Sequence, residues 1–343
     1  MIREDPRRQF LHTSLRGLML DHYMDKVEEL LLDHPARARH WAEILPEELS
    51  HVDDTDRQVR GYTILGATRS ATADFELAEE AFTLAFTLTP SDTSFPYSAW
   101  RHAVRARYWI HRNDQTRAEE DVETGLDLLG DSRSQPYACV RALLFLSQGR
   151  FAFDRQDWER AAFKASQAIR EAKSRKRKGV YPFGDRVRTA AAISYVSAMF
   201  EIDPARALWE MDNMNLVPQR MKRRGYVEPT RSSLVLSWAA GFFQVKIGHE
   251  KPGLANLVWA TENLAEIGAV LDAARCAVDL VNVASKDHPA ACAAMRALRD
   301  HPDTSEPLKK AAITWLASPE AIDPVPELKA ALAAERSRRR QYR

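Results

Sequence analysis

Small residues return at a fixed spacing along the first half of this chain, and that recurrence constrains its fold more than any other feature. Gly66, Ala78 and Ala85 are followed by Ala106, Ala118 and Gly125, then by Gly149, Ala161 and Ala168. Within each set the gaps are 12 and 7 residues, and Ala78, Ala118 and Ala161 are 40 and 43 residues apart. Such positions let two helices approach closely, while Leu65 and Phe82 in the first set fill the space between them. Composition agrees: Gly and Pro together contribute 30 of 343 residues, below the roughly 12% of ordinary chains. The residues between them are mostly Ala, Leu, Glu, Arg and Lys, the strong helix formers. No segment alternates apolar and polar residues for long enough to make a sheet. The expected fold class is all-α, an α-solenoid of antiparallel helix pairs with about 15 helices.

The first set carries further markers. Tyr62, Leu65-Gly66, Ala78, Phe82, Ala85 and Pro90 match the Leu-Gly, Ala-x3-Phe and closing Pro pattern of the tetratricopeptide repeat, with Tyr62 in place of its leading Trp. The later sets match in part, with Val122 and Ala165 at the Phe position and Gly130 where Pro90 stood. The chain resembles a divergent tetratricopeptide-repeat protein whose helices or loops exceed the usual repeat of about 34 residues. Residues 1–50 read as an N-terminal helical cap of two or three helices, 57–215 as repeats, 216–335 as hairpins continuing the solenoid and 336–343 as a basic tail. Helix pairs are expected over 57–89 and 98–129, over 185–201 with 204–214, and over 231–247 with 252–267. Shorter helices follow at 269–285, 289–299, 307–316 and 326–336, several opened by proline.

The resemblance implies that the first helix of each pair lines a concave groove for a protein or peptide. It places Arg60, Thr63, Ala67 and Ser70 inward, then Trp100, Ala103, Arg107 and Ile110, then Leu143, Leu146, Arg150 and Phe153. Arg60, Arg107 and Arg150 would form a basic stripe, with Trp100 and Phe153 as apolar anchors. The implied function is that of a non-enzymatic adaptor or regulatory scaffold whose partner carries an acidic segment. Arg60 and Ile64 stand where the family's chaperone-binding clamp needs Lys and Asn, which argues against chaperone C-termini as ligands.

Other chemistry is excluded by what the sequence lacks. There is no Gly-rich loop ending in Gly-Lys-Ser/Thr, no closely spaced dinucleotide glycines, no Gly-x-Ser-x-Gly elbow and no His-Glu-x-x-His helix. His34 and His40 are six apart and do not share a helical face; no metal or cofactor is assigned. Cys139, Cys276 and Cys292 are odd in number and widely spaced, as in a reduced chain without a disulfide frame. The uncharged apolar stretch 232–245 spans 14 residues, short of the ~20 that cross a bilayer. With no secretory signal at the N-terminus, the expectation is a cytoplasmic protein without a membrane partner.

Charge is distributed unevenly. Residues 41–130 carry 17 acidic and 8 basic groups, whereas 164–231 carry 15 basic and 7 acidic. Basic clusters fall at Lys173, Arg175, Lys176, Arg177 and Lys178, at Lys222, Arg223 and Arg224, and at Arg336, Arg338, Arg339, Arg340 and Arg343. The first two stand near Tyr181, Phe183 and Tyr226, a pairing of cations and rings that can grip phosphates and stack bases. A nucleic-acid-binding helical-repeat protein is the alternative to the adaptor. The first fifty residues do not supply a DNA-reading helix-turn-helix, because the segment after His34-Pro35-Ala36 is amphipathic and suited to packing.

Overall fold

A computed structural model describes residues 6–72, 74–112, 114–132, 134–172, 183–214, 229–283, 289–300 and 306–317. Among these residues there are sixteen helices and no strand. Three open the chain: α1 (Pro6–Asp33), α2 (Pro35–Ala42) and the short α3 (Leu45–Leu49). Five pairs follow: α4 (Thr55–Ala71) with α5 (Phe75–Thr87), α6 (Tyr97–His111) with α7 (Gln115–Leu129), and α8 (Gln135–Asp154) with α9 (Trp158–Glu171). Next come α10 (Phe183–Ile202) with α11 (Pro204–Asn213) and α12 (Arg231–Lys246) with α13 (Glu250–Glu266). The described residues end with α14 (Val270–Val283), α15 (Pro289–Asp300) and α16 (Glu306–Ala317).

Local sequence sets the helix boundaries. Four helices open on an Asp-x-x-Arg pattern, the aspartate accepting from the backbone N–H three residues on. Asp54, Asp114 and Asp157 take those of Arg57, Arg117 and Arg160 at 3.2 Å, and Asp203 takes that of Arg206 at 3.1 Å. Each such cap satisfies an orphan donor and is worth about 1 kcal/mol. Thr230 and Ser233 form a reciprocal capping box at the start of α12. Pro90 follows the end of α5, and Gly248, with φ +88°, turns the chain between α12 and α13.

The spaced small residues lie where the pairs touch. Ala78, Ala85 and Ala118 are fully buried and Ala161 nearly so. A Cβ on Gly66 would stand 2.9 Å from the Phe82 ring, so glycine there sets how closely α4 and α5 approach. Phe82 in turn packs on Tyr108 of the next pair, with ring centroids 5.3 Å apart. Between α12 and α13 the approach is backbone on backbone: a Cβ on Gly241 would lie 2.7 Å from the carbonyl oxygen of Gly253.

The first helices form a continuous layer, α4 on α6, α6 on α8, α8 on α10, α10 on α12 and α12 on α14. The second helices pack on their own partners, and α5, α7 and α9 also touch the first helix of the following pair. The two ends of the series meet. Helix α1 packs on α4 and α12, and the N–H of Ala36, at the start of α2, donates to the carbonyl of Ile267 at 3.5 Å. Gly268, with φ +79°, brings its Cα so near α2 that an added Cβ would sit 2.5 Å from the Ala36 side chain. None of the described helices is long and apolar enough to cross a membrane.

Candidate functional site

The five groove residues expected from the repeat pattern all belong to the first-helix layer, but the chain itself covers three of them. Arg60 points into α1. Its Nη2 lies 2.5 Å from Asp25 Oδ1 and 2.7 Å from Glu28 Oε2, and only 2% of Glu28 is exposed. Burial raises the Glu28 carboxyl above its ordinary value in spite of the adjacent guanidinium. Arg60 is therefore half of a buried ion cluster and presents no free guanidinium to a ligand. The cause is α1, which lies along α4 and brings its acidic face onto that arginine.

Trp100 also departs from expectation. It is 4% exposed, with Phe95 and Tyr97 edge-on to its ring at 6.0 and 6.2 Å. Phe95 comes from the connection between α5 and α6 and Tyr97 from the first residue of α6, so the indole belongs to the core and offers no anchor to a partner. The acidic residues of α7 find other cations: Asp121 accepts from Arg105 at 2.7 and 2.8 Å and pairs with His102 at 2.6 Å, and Glu119 pairs with Arg155. These contacts hold the Asp121 carboxyl below its usual range despite burial.

Arg107 is half-buried, with Arg231 at the start of α12 and Asp272 at the start of α14 as its charged neighbours. One turn further along α6, His111 shares a 3.0 Å hydrogen bond with Ser70. Together with Ala71, Arg231, Ala269 and Asp272, His111 lines a small cavity of ≈ 10 Å³, room for about one water. Arg231 Nε and Nη2 each lie 2.6 Å from Asp272 Oδ2. Burial and the neighbouring Arg231 lower Arg107 to about 10. Burial, with Arg107, Arg275 and Arg231 nearby, lowers His111 to about 3, so its ring is neutral at pH 7. Burial alone would raise Asp272, but Arg231 and Arg275 outweigh it and hold that carboxyl low. Four helices thus meet in a polar cluster rich in guanidinium.

Arg150 and Phe153 remain accessible on α8. The Arg150 side chain is 46% exposed and holds Asp154 at 2.8 Å. Its guanidinium carbon lies 5.8 Å from the centre of the half-buried Phe153 ring, which meets Trp158 edge-on at 4.9 Å. An exposed i, i+4 ion pair of this kind contributes only a few tenths of a kcal/mol, so an incoming carboxylate can replace Asp154 at little cost.

Lys173, Arg175, Lys176, Arg177, Lys178, Lys222, Arg223, Arg224 and the arginines after residue 335 lie outside the described residues. Among the described residues no group of three His, Cys, Asp or Glu side chains is placed to hold a metal ion. The residues that sequence reasoning missed are Arg231, Asp272 and Arg275. The four-residue step from Arg107 to His111 marks one face of α6, but nothing local links it to residues more than a hundred positions away. No protein-family model, curated protein or solved structure matches this chain.

Proposed function

We propose that this protein is a non-enzymatic, cytoplasmic adaptor or regulatory scaffold of the tetratricopeptide-repeat type. It takes a protein or peptide segment on the inner face of a helical solenoid. The observation that carries the reading is the unbroken layer of first helices with an accessible cation and ring, Arg150 and Phe153, side by side on α8. A matching partner carries a carboxylate for Arg150 and an apolar side chain against Phe153 and Trp158. Guanidinium–carboxylate pairing supplies direction, and the ring supplies most of the energy. Because α1 occupies Arg60 and the core takes Trp100, recognition centres on α8.

The test is selection of a random-peptide display library on the full chain, followed by calorimetry of the enriched sequence. An acidic consensus with one apolar position is expected, with binding at least tenfold weaker for Arg150→Ala combined with Phe153→Ala and helicity unchanged. Enriched peptides that bind this double variant as tightly as the parent would refute the site. If single-stranded RNA or DNA bound below micromolar at physiological salt, with steep weakening as salt rises, function would move to the basic segments.

A further inference from the structure

The outward faces of the second helices carry charges that the described residues leave unanswered. On α7, Glu120, Glu123 and Asp127 recur at intervals of three and four residues and are all exposed, with the half-exposed Leu128 beside them. None of the three forms an ion pair with a described residue, and like charges at this spacing repel. Helix α5 repeats the character with Glu76 and Glu80, again exposed and unpaired, close to the exposed Leu84. On α9 the sign reverses. Arg160, Phe163 and Arg170 share one exposed face, and neither guanidinium meets a carboxylate, Arg170 donating to Ser166 Oγ at 3.4 Å. Around that face Asp157 caps the helix and Glu171 lies 3.5 Å from Arg141, which leaves Glu159 as its one exposed acidic residue. By the repeat spacing of 40 and 43 residues, Phe163 is the counterpart of Glu80 and Glu120, and Arg170 that of Asp127. The next second helix, α11, exposes Trp209 more fully still.

We propose that the outward faces of α7 and α9 form a self-association surface, on which a second copy of this chain docks about a two-fold axis, its α9 on α7 and its α7 on α9. Both halves of the complement are present on one chain, on successive second helices, and a two-fold axis presents each half to its opposite. The charges extend over comparable lengths, about 10 Å from Glu120 to Asp127 and about 15 Å from Arg160 to Arg170 at the helical rise. Phe163 of each copy then lies toward Leu128 of the other, so exposed apolar side chains meet between the ion pairs. A purely acidic partner would match α9 and leave α7 facing like charge, and a basic partner or a nucleic acid would leave one of the two faces equally mismatched. The chain's net charge is only +1, so repulsion between whole copies does not oppose the contact. Arg150 and Phe153 belong to the first-helix layer, and this inference does not depend on peptide recognition there.

The experiment is sedimentation equilibrium of the full chain at micromolar concentrations in low and high salt. The mass should rise with concentration from 38.9 kDa toward twice that value, and association should weaken as salt screens the ion pairs. Two charge-reversed variants identify the surface: Glu120→Lys with Asp127→Lys, and Arg160→Glu with Arg170→Glu. Each alone sets like charge against like and should remain monomeric with helicity unchanged. Mixed in equal amounts they restore both contacts, since the reversed α7 of one meets the reversed α9 of the other and the two unaltered faces still match, so a dimer should reappear. Phe163→Ser, a neutral change on the same face, should weaken the parent dimer at least tenfold. A parent that stays monomeric at hundreds of micromolar, a dimer that persists in either reversed variant or unweakened in Phe163→Ser, or a mixture of the reversed variants that stays monomeric would each overturn the proposal.

Discussion

Replacing Arg60 with methionine leaves Glu28 buried without its partner, and the cost should depend on pH in a defined sense. Arg60 Nη2 holds Glu28 at 2.7 Å and Asp25 at 2.5 Å, and Glu28 is 2% exposed. Breaking a buried pair by removing one member commonly costs about 3–5 kcal/mol. Asp25 is 55% exposed and rehydrates, so Glu28 carries most of the loss and the lower end, about 3 kcal/mol, applies at pH 8. Glu28 escapes by taking up a proton. Its folded pKa is already raised by burial, so in the parent its contribution falls as pH climbs from the ordinary carboxylate value through the folded one. Without the guanidinium the folded value moves higher still, and each added unit represents about 1.4 kcal/mol. The loss in Arg60→Met should therefore be smaller at pH 5 than at pH 8. Urea unfolding followed by helical circular dichroism at both pH values measures it. Adding Glu28→Gln should recover a large part of the loss and flatten its pH dependence. An identical loss at both pH values, with no recovery in the double variant, would refute this account of the Arg60 cluster.

Three further outcomes follow, two from packing and one from His111. Ala78→Leu should cost about 1–3 kcal/mol by overpacking the α4–α5 contact. Gly241→Ala, whose Cβ would stand 2.7 Å from a backbone oxygen that cannot swing away, should likewise lower the urea midpoint, although alanine favours a helix more than glycine does. The folded His111 pKa, about 3, lies below its unfolded value of about 6.5, so stability is full above that value and declines as pH falls from there toward 3. Thermal melts at pH 7 and pH 5 should show a smaller difference in His111→Gln than in the parent.

Much of the fold was legible because its determinants are local. The gaps of 12 and 7 residues between small side chains place Gly66, Ala78 and Ala85 at one helix contact. The ends of α4 to α7 fall within a few residues of the expected pairs. The recurring Asp-x-x-Arg caps at Asp54, Asp114, Asp157 and Asp203 stood equally in the sequence. The groove was less legible because its fate depends on distant partners. Arg60 meets Asp25 and Glu28 across 35 and 32 residues of chain. Position within a repeat states which way a side chain leaves its helix, and it carries no information about which other helix arrives there. Trp100 illustrates the same limit at shorter range, since Phe95, before α6, and Tyr97, at its first residue, pack on the indole. Arg150 escaped because its pairing is with Asp154 on its own helix, and Phe153, though packed against Trp158, is only half-buried.

The N-terminal helices meet α12 and the turn between α13 and α14, with Ala36 of α2 against Ile267 and Gly268. A crosslink between Ala36→Cys and Glu266→Cys tests this directly, because the Ala36 N–H reaches the carbonyl of Ile267 at 3.5 Å. Cys139 and Cys276 are buried, so a Cys292→Ser background leaves the two introduced thiols as the reactive pair. A short bifunctional maleimide should join them nearly completely within one native molecule, and the product should resist urea better than the uncrosslinked chain. Absence of the intramolecular product from a double variant that melts like the parent would contradict the contact of α2 with the turn between α13 and α14.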